Sequence, residues 1–155
     1  MAALNIRDCE KSPSNAIKVN IDGTINLLNI AKKLNIPFVF FSSGAVFSSK
    51  LPTTVFNEKM NTSPNCIYGD TKKSSELIVK TYEKSIIIRT GWLFGGIQKT
   101  HNKFVELVLN SLLTNTSVKG SEYFFGSPTY YSDVILKMVD LIHRSAYGVH
   151  HIVNR

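Results

Sequence analysis

The sequence has little of most things that assign a protein at a glance. Only two of its 155 residues are cysteine, Cys9 and Cys66. They lie far apart and form no C-x-x-C pair. That excludes a disulfide framework and reads as two free thiols of a reducing compartment. No run of 18 or more apolar residues occurs. The longest candidate, Ile36 to Phe41, has the length of a strand, which excludes a helical membrane span. The opening Met1-Ala2-Ala3-Leu4-Asn5 lacks the basic flank and apolar stretch of a secretory leader, so the expected location is the cytoplasm. The four histidines show no metal-ligand spacing. His150 and His151 are neighbours on an expected strand and point to opposite faces, so no metal site is expected.

One charge sign is in excess but not concentrated. Eighteen Lys and Arg stand against 11 Asp and Glu, a net charge of +7. The longest basic run is a pair, and there is no arginine-rich arm. The pattern describes a solvated basic surface, or attraction for a small anionic ligand, rather than a nucleic-acid groove.

What is present is enough apolar material for a core. Hydrophobic residues make up 43% of the chain and charged residues 19%. The length suits one domain or part of a larger one. Asp8 to Asn15 reads as a polar turn. Helical periodicity follows through Ala16, Val19, Ile25 and Leu28 to Asn35, with Ser12 or Ser14 as its cap. Phe38-Val39-Phe40-Phe41 is an apolar run expected to be a central, buried strand. A long polar stretch, 48–66, has the length of a functional or mobile loop. A second helix is expected over Ile67 to Glu83, with Leu77, Ile78 and Tyr82 on its apolar side. Ser85 to Arg89 is a second buried strand, followed by a turn through Gly91, Gly95 and Gly96. A third helix spans Phe104 to Leu112, a loop covers Gly126 to Thr129, a fourth helix Asp133 to His143, and a last strand Val149 to Val153. Helices alternating with strands give an α/β fold with a doubly wound parallel sheet. Ligands of such folds bind at the strand carboxyl ends. Ser43 and the segment from Thr90 to Gly96 fall there.

The chemistry-bearing pattern is Tyr68-Gly69-Asp70-Thr71-Lys72. Spacing of i, i+4 puts Tyr68 and Lys72 on one helix face. A tyrosine with pKa about 10 is a poor acid near neutrality, and an adjacent ammonium favours the phenolate. By itself the pair recurs by chance in many helices. Its setting adds weight: a serine just after a buried strand about 25 residues earlier, Asn20 in a helix upstream, and Arg89-Thr90-Gly91-Trp92-Leu93 after the next strand.

In this order the residues resemble the extended short-chain dehydrogenase/reductase superfamily, and within it the dTDP-4-dehydrorhamnose reductase-like sugar-nucleotide enzymes. Ala2-Ala3-Leu4 corresponds to the end of their fourth strand and Asp8-Cys9-Glu10 to an acidic turn. Val19-Asn20-Ile21-Asp22-Gly23-Thr24 matches a "V-N-x-x-G-T" helix, and Gly126-Ser127-Pro128-Thr129 with Asp133 a "G-x-P-T…D" segment. The resemblance implies a partial Rossmann-type sheet in 1–95 and part of a small substrate-binding region in 96–155. It implies catalysis by Ser43, Tyr68 and Lys72, with Asn20 supporting a water near Lys72. It implies contacts of Ala2, Ala3, Ser42, Tyr68, Lys72, Thr90, Gly91 and Leu93 with NAD or NADP. Ser43, Gly44, Arg89 and Trp92 would meet a nucleotide-linked sugar, and a homodimer is a candidate assembly. No nucleic-acid or membrane partner is implied.

Two departures accompany the resemblance. The chain contains no G-x-x-G-x-x-G or G-x-G-x-x-G turn to receive a pyrophosphate on backbone N–H groups. It therefore reads as an internal portion of an enzyme. The alternative is an inert fragment or regulatory binding module of the same fold. Gly44 and Ala45 also replace an acid and an aromatic of the relatives, and the lack of a cysteine at Ala45 argues against epimerisation. Cys66 reads as a structural thiol, and Arg89 has a second reading as the partner of a carboxylate.

Overall fold

The computed structural model describes residues 5–49, 51, 54–96, 104–120 and 126–154. Asp8 to Asn15, expected as a turn, instead holds two short helices, α1 (Ile6–Lys11) and α2 (Pro13–Ile17). Local caps explain the difference. The Asn5 side chain accepts from the Asp8 N–H at 2.9 Å, Asp8 and Lys11 suit the two ends of α1, and Pro13 opens α2 with its φ already helical. The helix expected from Ala16 onward is not uniform. Lys18–Asp22 forms a π-helical turn before α3 (Gly23–Leu34). Asn35, in the left-handed conformation at φ 55°, closes α3 ahead of Pro37.

β1 (Phe38–Phe41), β2 (Ser85–Thr90) and β5 (Gly148–Ile152) form a parallel sheet in the order β1-β2-β5. Among the described residues β2 is thus the central strand, buried along its whole length. β1, expected to be central, lies at an edge, with Phe41 39% exposed. Helix α4 (Ile67–Val79) and helix α6 (Tyr131–His143) cover opposite faces. Alternation along β2 divides the core between them. Ile86 and Ile88 pack with Val134 and Leu141 of α6, and Ile87 packs with Phe40 and with Val79 of α4. The doubly wound α/β reading holds.

The apolar side expected for the second helix is not the buried one. Leu77 is 60% exposed, while Thr71, Lys72, Ser75, Glu76 and Val79 face inward. These polar side chains are buried because they bond to one another's neighbours. Ser75 Oγ donates to the carbonyls of Asn20 and Thr71 at 3.0 and 2.9 Å. The glycine-punctuated turn and the later loop each contain a strand, β3 (Trp92–Phe94) and β4 (Pro128–Tyr130), paired in parallel. Three-residue strands carry too little pattern to be read from sequence. Helix α5 (Phe104–Thr114) buries none of its residues among the described ones. No helix among the described residues is long and apolar enough to cross a membrane.

Candidate active site

Three chain segments meet at the carboxyl end of the main sheet. Ser42 and Ser43 follow β1, Gly91 follows Thr90 at the end of β2, and α4 presents Tyr68 and Lys72 on its first turns. Ser43 opens a 3₁₀ turn, Gly44–Val46, and its Oγ accepts from the Ala45 N–H at 3.1 Å. Gly69 lets α4 press against that turn. A Cβ there would overlap the Ala45 carbonyl and stand 2.8 Å from Pro64 Cβ. The helix start is held from two sides. Cys66 Sγ accepts from the Gly69 N–H at 3.4 Å, which gives the thiol the structural role expected of it. Glu10 Oε1 accepts from the Ile67 N–H at 2.7 Å.

These segments frame an open cleft of about 770 Å³, lined among others by Asn20, Ser43, Tyr68, Lys72, Thr90 and Leu93. The structure therefore brings Ser43, Tyr68, Lys72 and Asn20 to one place. The Ser43 hydroxyl lies near enough to the Tyr68 phenol to favour its ionised form. Lys72 Nζ donates to the Phe41 carbonyl at 2.8 Å and lies 4.9 Å from the Phe40 ring centre and 5.8 Å from that of Tyr68. Burial pushes the Lys72 ammonium down to about 8, against the pull of Cys9 and Glu76. Tyr68 departs from expectation. Burial raises its pKa above the ordinary tyrosine value, and the Ser43 hydroxyl only partly opposes this. Cys9 and Cys66 add to the rise, and the lowering expected from Lys72 is not among the effects that set the Tyr68 pKa.

Asn20 sits in the π-helical turn, 2% exposed. Its Nδ2 donates to Thr71 Oγ1 at 2.9 Å, while its carbonyl accepts from Thr24 Oγ1 at 2.6 Å. Its Oδ1 is buried with no partner among the described residues, and so is Thr90 Oγ1. Both residues line the cleft, so each has unspent hydrogen-bonding capacity for a water or a ligand. Gly91 is required by packing, since a Cβ there would overlap the Ser127 carbonyl. Leu93 and Gly44 are exposed beside it. Trp92 is half-buried against Phe104 at 5.0 Å between ring centres, with Gly126 against its face. Ala2 and Ala3 lie outside the described residues.

Two expected contacts are redirected. Ser42 turns its hydroxyl away to donate to Glu76 Oε1 at 2.5 Å. Arg89, expected at the substrate, is 3% exposed and forks onto Glu76, with Nε to Oε1 at 2.9 Å and Nη2 to Oε2 at 2.6 Å. Its reading as a carboxylate partner is the one the geometry supports. Burial alone would raise the Glu76 pKa, but the bonds from Arg89 and Ser42 hold it below the usual carboxylate range. Glu76 was missed in the sequence, although Tyr68, Lys72 and Glu76 continue one i, i+4 series. Arg89 Nη1 also lies 3.3 Å from His151 Nε2, and Glu58 of the long loop accepts the His151 N–H at 2.9 Å.

Comparison with known proteins bears on the family and the fold. The family model described as "RmlD substrate binding domain" matches residues 2–155. Spore coat polysaccharide biosynthesis protein SpsK of Bacillus subtilis is 29% identical, over 99% of this chain and 53% of its own length. A dTDP-4-dehydrorhamnose reductase of Aggregatibacter actinomycetemcomitans is 28% identical, over 97% and 52%. Among solved structures, a Bacillus anthracis dTDP-4-dehydrorhamnose reductase in complex with NADP superposes with a TM-score of 0.89 at 30% identity, over 99% of this chain and 54% of that one. The chain thus spans about half the length of the relatives it matches. A parallel sheet wound on both faces, the Ser43–Tyr68–Lys72 cleft at its carboxyl end and a family match along 2–155 converge: the chain belongs to the RmlD substrate-binding-domain family.

Proposed function

We propose that this chain supplies the proton-donating side of an NAD(P)H-dependent reductase acting on a nucleotide-linked 4-keto-6-deoxy sugar, as part of a complete enzyme. The observation that carries the reading is the meeting of Ser43, Tyr68 and Lys72 on one cleft of a chain in this family. In the proposed reaction the Tyr68 hydroxyl donates its proton to the C4 carbonyl oxygen, and the Ser43 hydroxyl donates a hydrogen bond to the same atom. The Lys72 ammonium stabilises the phenolate that Tyr68 leaves behind. Because burial raises the Tyr68 pKa, the phenol stays protonated at neutral pH, as an acid must.

NAD(P)H, when bound, supplies the hydride that goes to the carbon. The residues present suit its nicotinamide and ribose. Lys72, Thr90, Gly91 and Leu93 line the cleft, and Thr90 Oγ1 and Asn20 Oδ1 are buried without partners among the described residues. The sequence contains neither glycine-rich pattern that would receive its pyrophosphate on backbone N–H groups. Trp92 and Gly44 remain the candidates to face the sugar. The region beyond residue 95 is proposed as substrate-binding, with β3 and β4 linking it to the rest. The reading includes a cytoplasmic location, the nucleotide sugar as partner rather than nucleic acid, and a homodimer as candidate assembly.

The test is oxidation of NADPH or NADH with a dTDP-4-keto-6-deoxy sugar. It is run with the full chain alone and with the chain joined to a glycine-rich nucleotide-binding half of a relative. Turnover by the joined form, falling by about 10²–10⁴ in Tyr68→Phe, is the expected result. Near-normal turnover by Tyr68→Phe would overturn the Tyr68 role. Absence of turnover in every form would favour the binding-module reading.

A further inference from the structure

Glu76 does not face the cleft, yet one carboxylate of 1% exposure ties together the three segments that build it. It sits on α4 one turn beyond Lys72. Its Oε1 takes the Ser42 hydroxyl at the end of β1, and both oxygens take Arg89 at the end of β2. The residues on either side of these partners are the cleft residues. Phe41, before Ser42, accepts Lys72 Nζ at 2.8 Å, and Ser43 follows Ser42. Thr90, with its unpartnered hydroxyl, follows Arg89. In extended backbone, neighbouring side chains point opposite ways. Anchoring Ser42 and Arg89 rearward therefore aims Ser43 and Thr90 forward. A buried ion pair is weak evidence for stability, since the desolvation of both charges offsets much of their attraction.

We propose that Glu76 is a positioning residue: through Ser42 and Arg89 it fixes the Phe41–Ser43 and Arg89–Thr90 segments relative to Tyr68 and Lys72. This rests on the reductase reading for its catalytic meaning but not for its geometry.

The test therefore reads the Lys72 ammonium directly, by nuclear magnetic resonance of isotope-labelled lysine in the full chain, with Lys72→Met assigning the signal. Ser42→Ala removes the strut without touching the ion pair. If the strut holds Phe41 in place, the ammonium loses its carbonyl acceptor in the variant, and its titration midpoint falls below that measured for the wild-type chain. Ser42→Thr, which keeps the hydroxyl, restores it. If Ser42→Ala fails to fold, the isosteric pair Ser42→Thr and Ser42→Val makes the same comparison. An unmoved midpoint in a folded variant lacking the hydroxyl overturns the proposal, whatever the activity. In the joined enzyme, Ser42→Ala is expected to lower kcat about two- to tenfold, the range of one lost hydrogen bond, with little change in KM. A moved midpoint in a protein without keto-sugar turnover would keep the positioning role and remove the reductase reading.

Discussion

Lys72 is under two opposed demands. As a cation beside Tyr68 it serves the proposed chemistry, but at 4% exposure its charge is poorly solvated. Its folded pKa of about 8 lies below the ordinary 10.5. Between these values the unfolded chain binds more protons than the folded one, so this group makes stability rise with pH across that window. Below about pH 8 the cost of burying the ammonium is present in full. Lys72→Met is therefore expected to unfold at higher urea concentration than wild type at pH 7. The difference should shrink as pH climbs from about 8 towards 10.5. Urea titrations at several pH values check it, and a variant less stable than wild type at pH 7 would contradict it. In the joined enzyme the same substitution is expected to lower turnover by about 10²-fold or more, the trade of function against stability common at active sites. Tyr68 and Lys72 could be read from their spacing. The direction of the Tyr68 shift could not, because it depends on how much solvent the fold removes.

At the scale of elements, the approach of α4 to the turn after Ser43 decides whether Ser43 and Tyr68 meet. Gly69 is the residue that permits it, with the Ala45 carbonyl and Pro64 Cβ where a side chain would start. Gly69→Ala is expected to push the helix start away and cost about 1–3 kcal/mol, as overpacked sites do. Chemical denaturation reads the stability, and a wider separation of the Ser43 and Tyr68 side chains in a refined structure reads the geometry. An alanine variant as stable as wild type would show that the turn yields freely. The helix itself was legible from Ile67 on, although it ends at Val79 and not at the expected Glu83, but its buried side was not. Leu77 suggested an apolar face, whereas the buried face is polar and satisfied by Asn20, Ser42 and Arg89. Partners distant in sequence reversed the choice. The π-helical turn around Asn20 was equally hidden, since such turns are rare and occur as single turns inside longer helices.

For the whole molecule, the decisive feature is the β1 side of the sheet. Among the described residues Phe38 to Phe41 pairs only with β2, which leaves an edge beside apolar side chains, and α5 adds exposed Leu112 and Leu113 at 71% and 82%. Such edges pair with other chains. The chain alone is expected to self-associate, and Phe41→Lys, at a position 39% exposed, to reduce light scattering. A monodisperse monomer that unfolds in one sharp step would contradict this. Nucleotide binding should be correspondingly limited. With residues suited to nicotinamide but no glycine-rich turn, the chain alone is expected to bind NADH or NADPH at about millimolar Kd, near −4 kcal/mol. Micromolar binding by calorimetry would reveal a phosphate site that the sequence does not display.

Local patterns, acting over a few residues, determined the helix–strand alternation, the strand-end place of Ser43 and Thr90, and the Tyr68–Lys72 face. Hydrophobic periodicity and side-chain spacing are properties of the chain itself. Only the tertiary structure decided that, among the described residues, β2 is the centre, flanked by β1 and β5. It alone joined β3 to β4 and gave Arg89 to Glu76 instead of leaving it to a ligand. Strand order, two-way ion pairs and loss of solvent are relations between segments up to a hundred residues apart. Their energies depend on distance and burial, which exist only once those segments have packed.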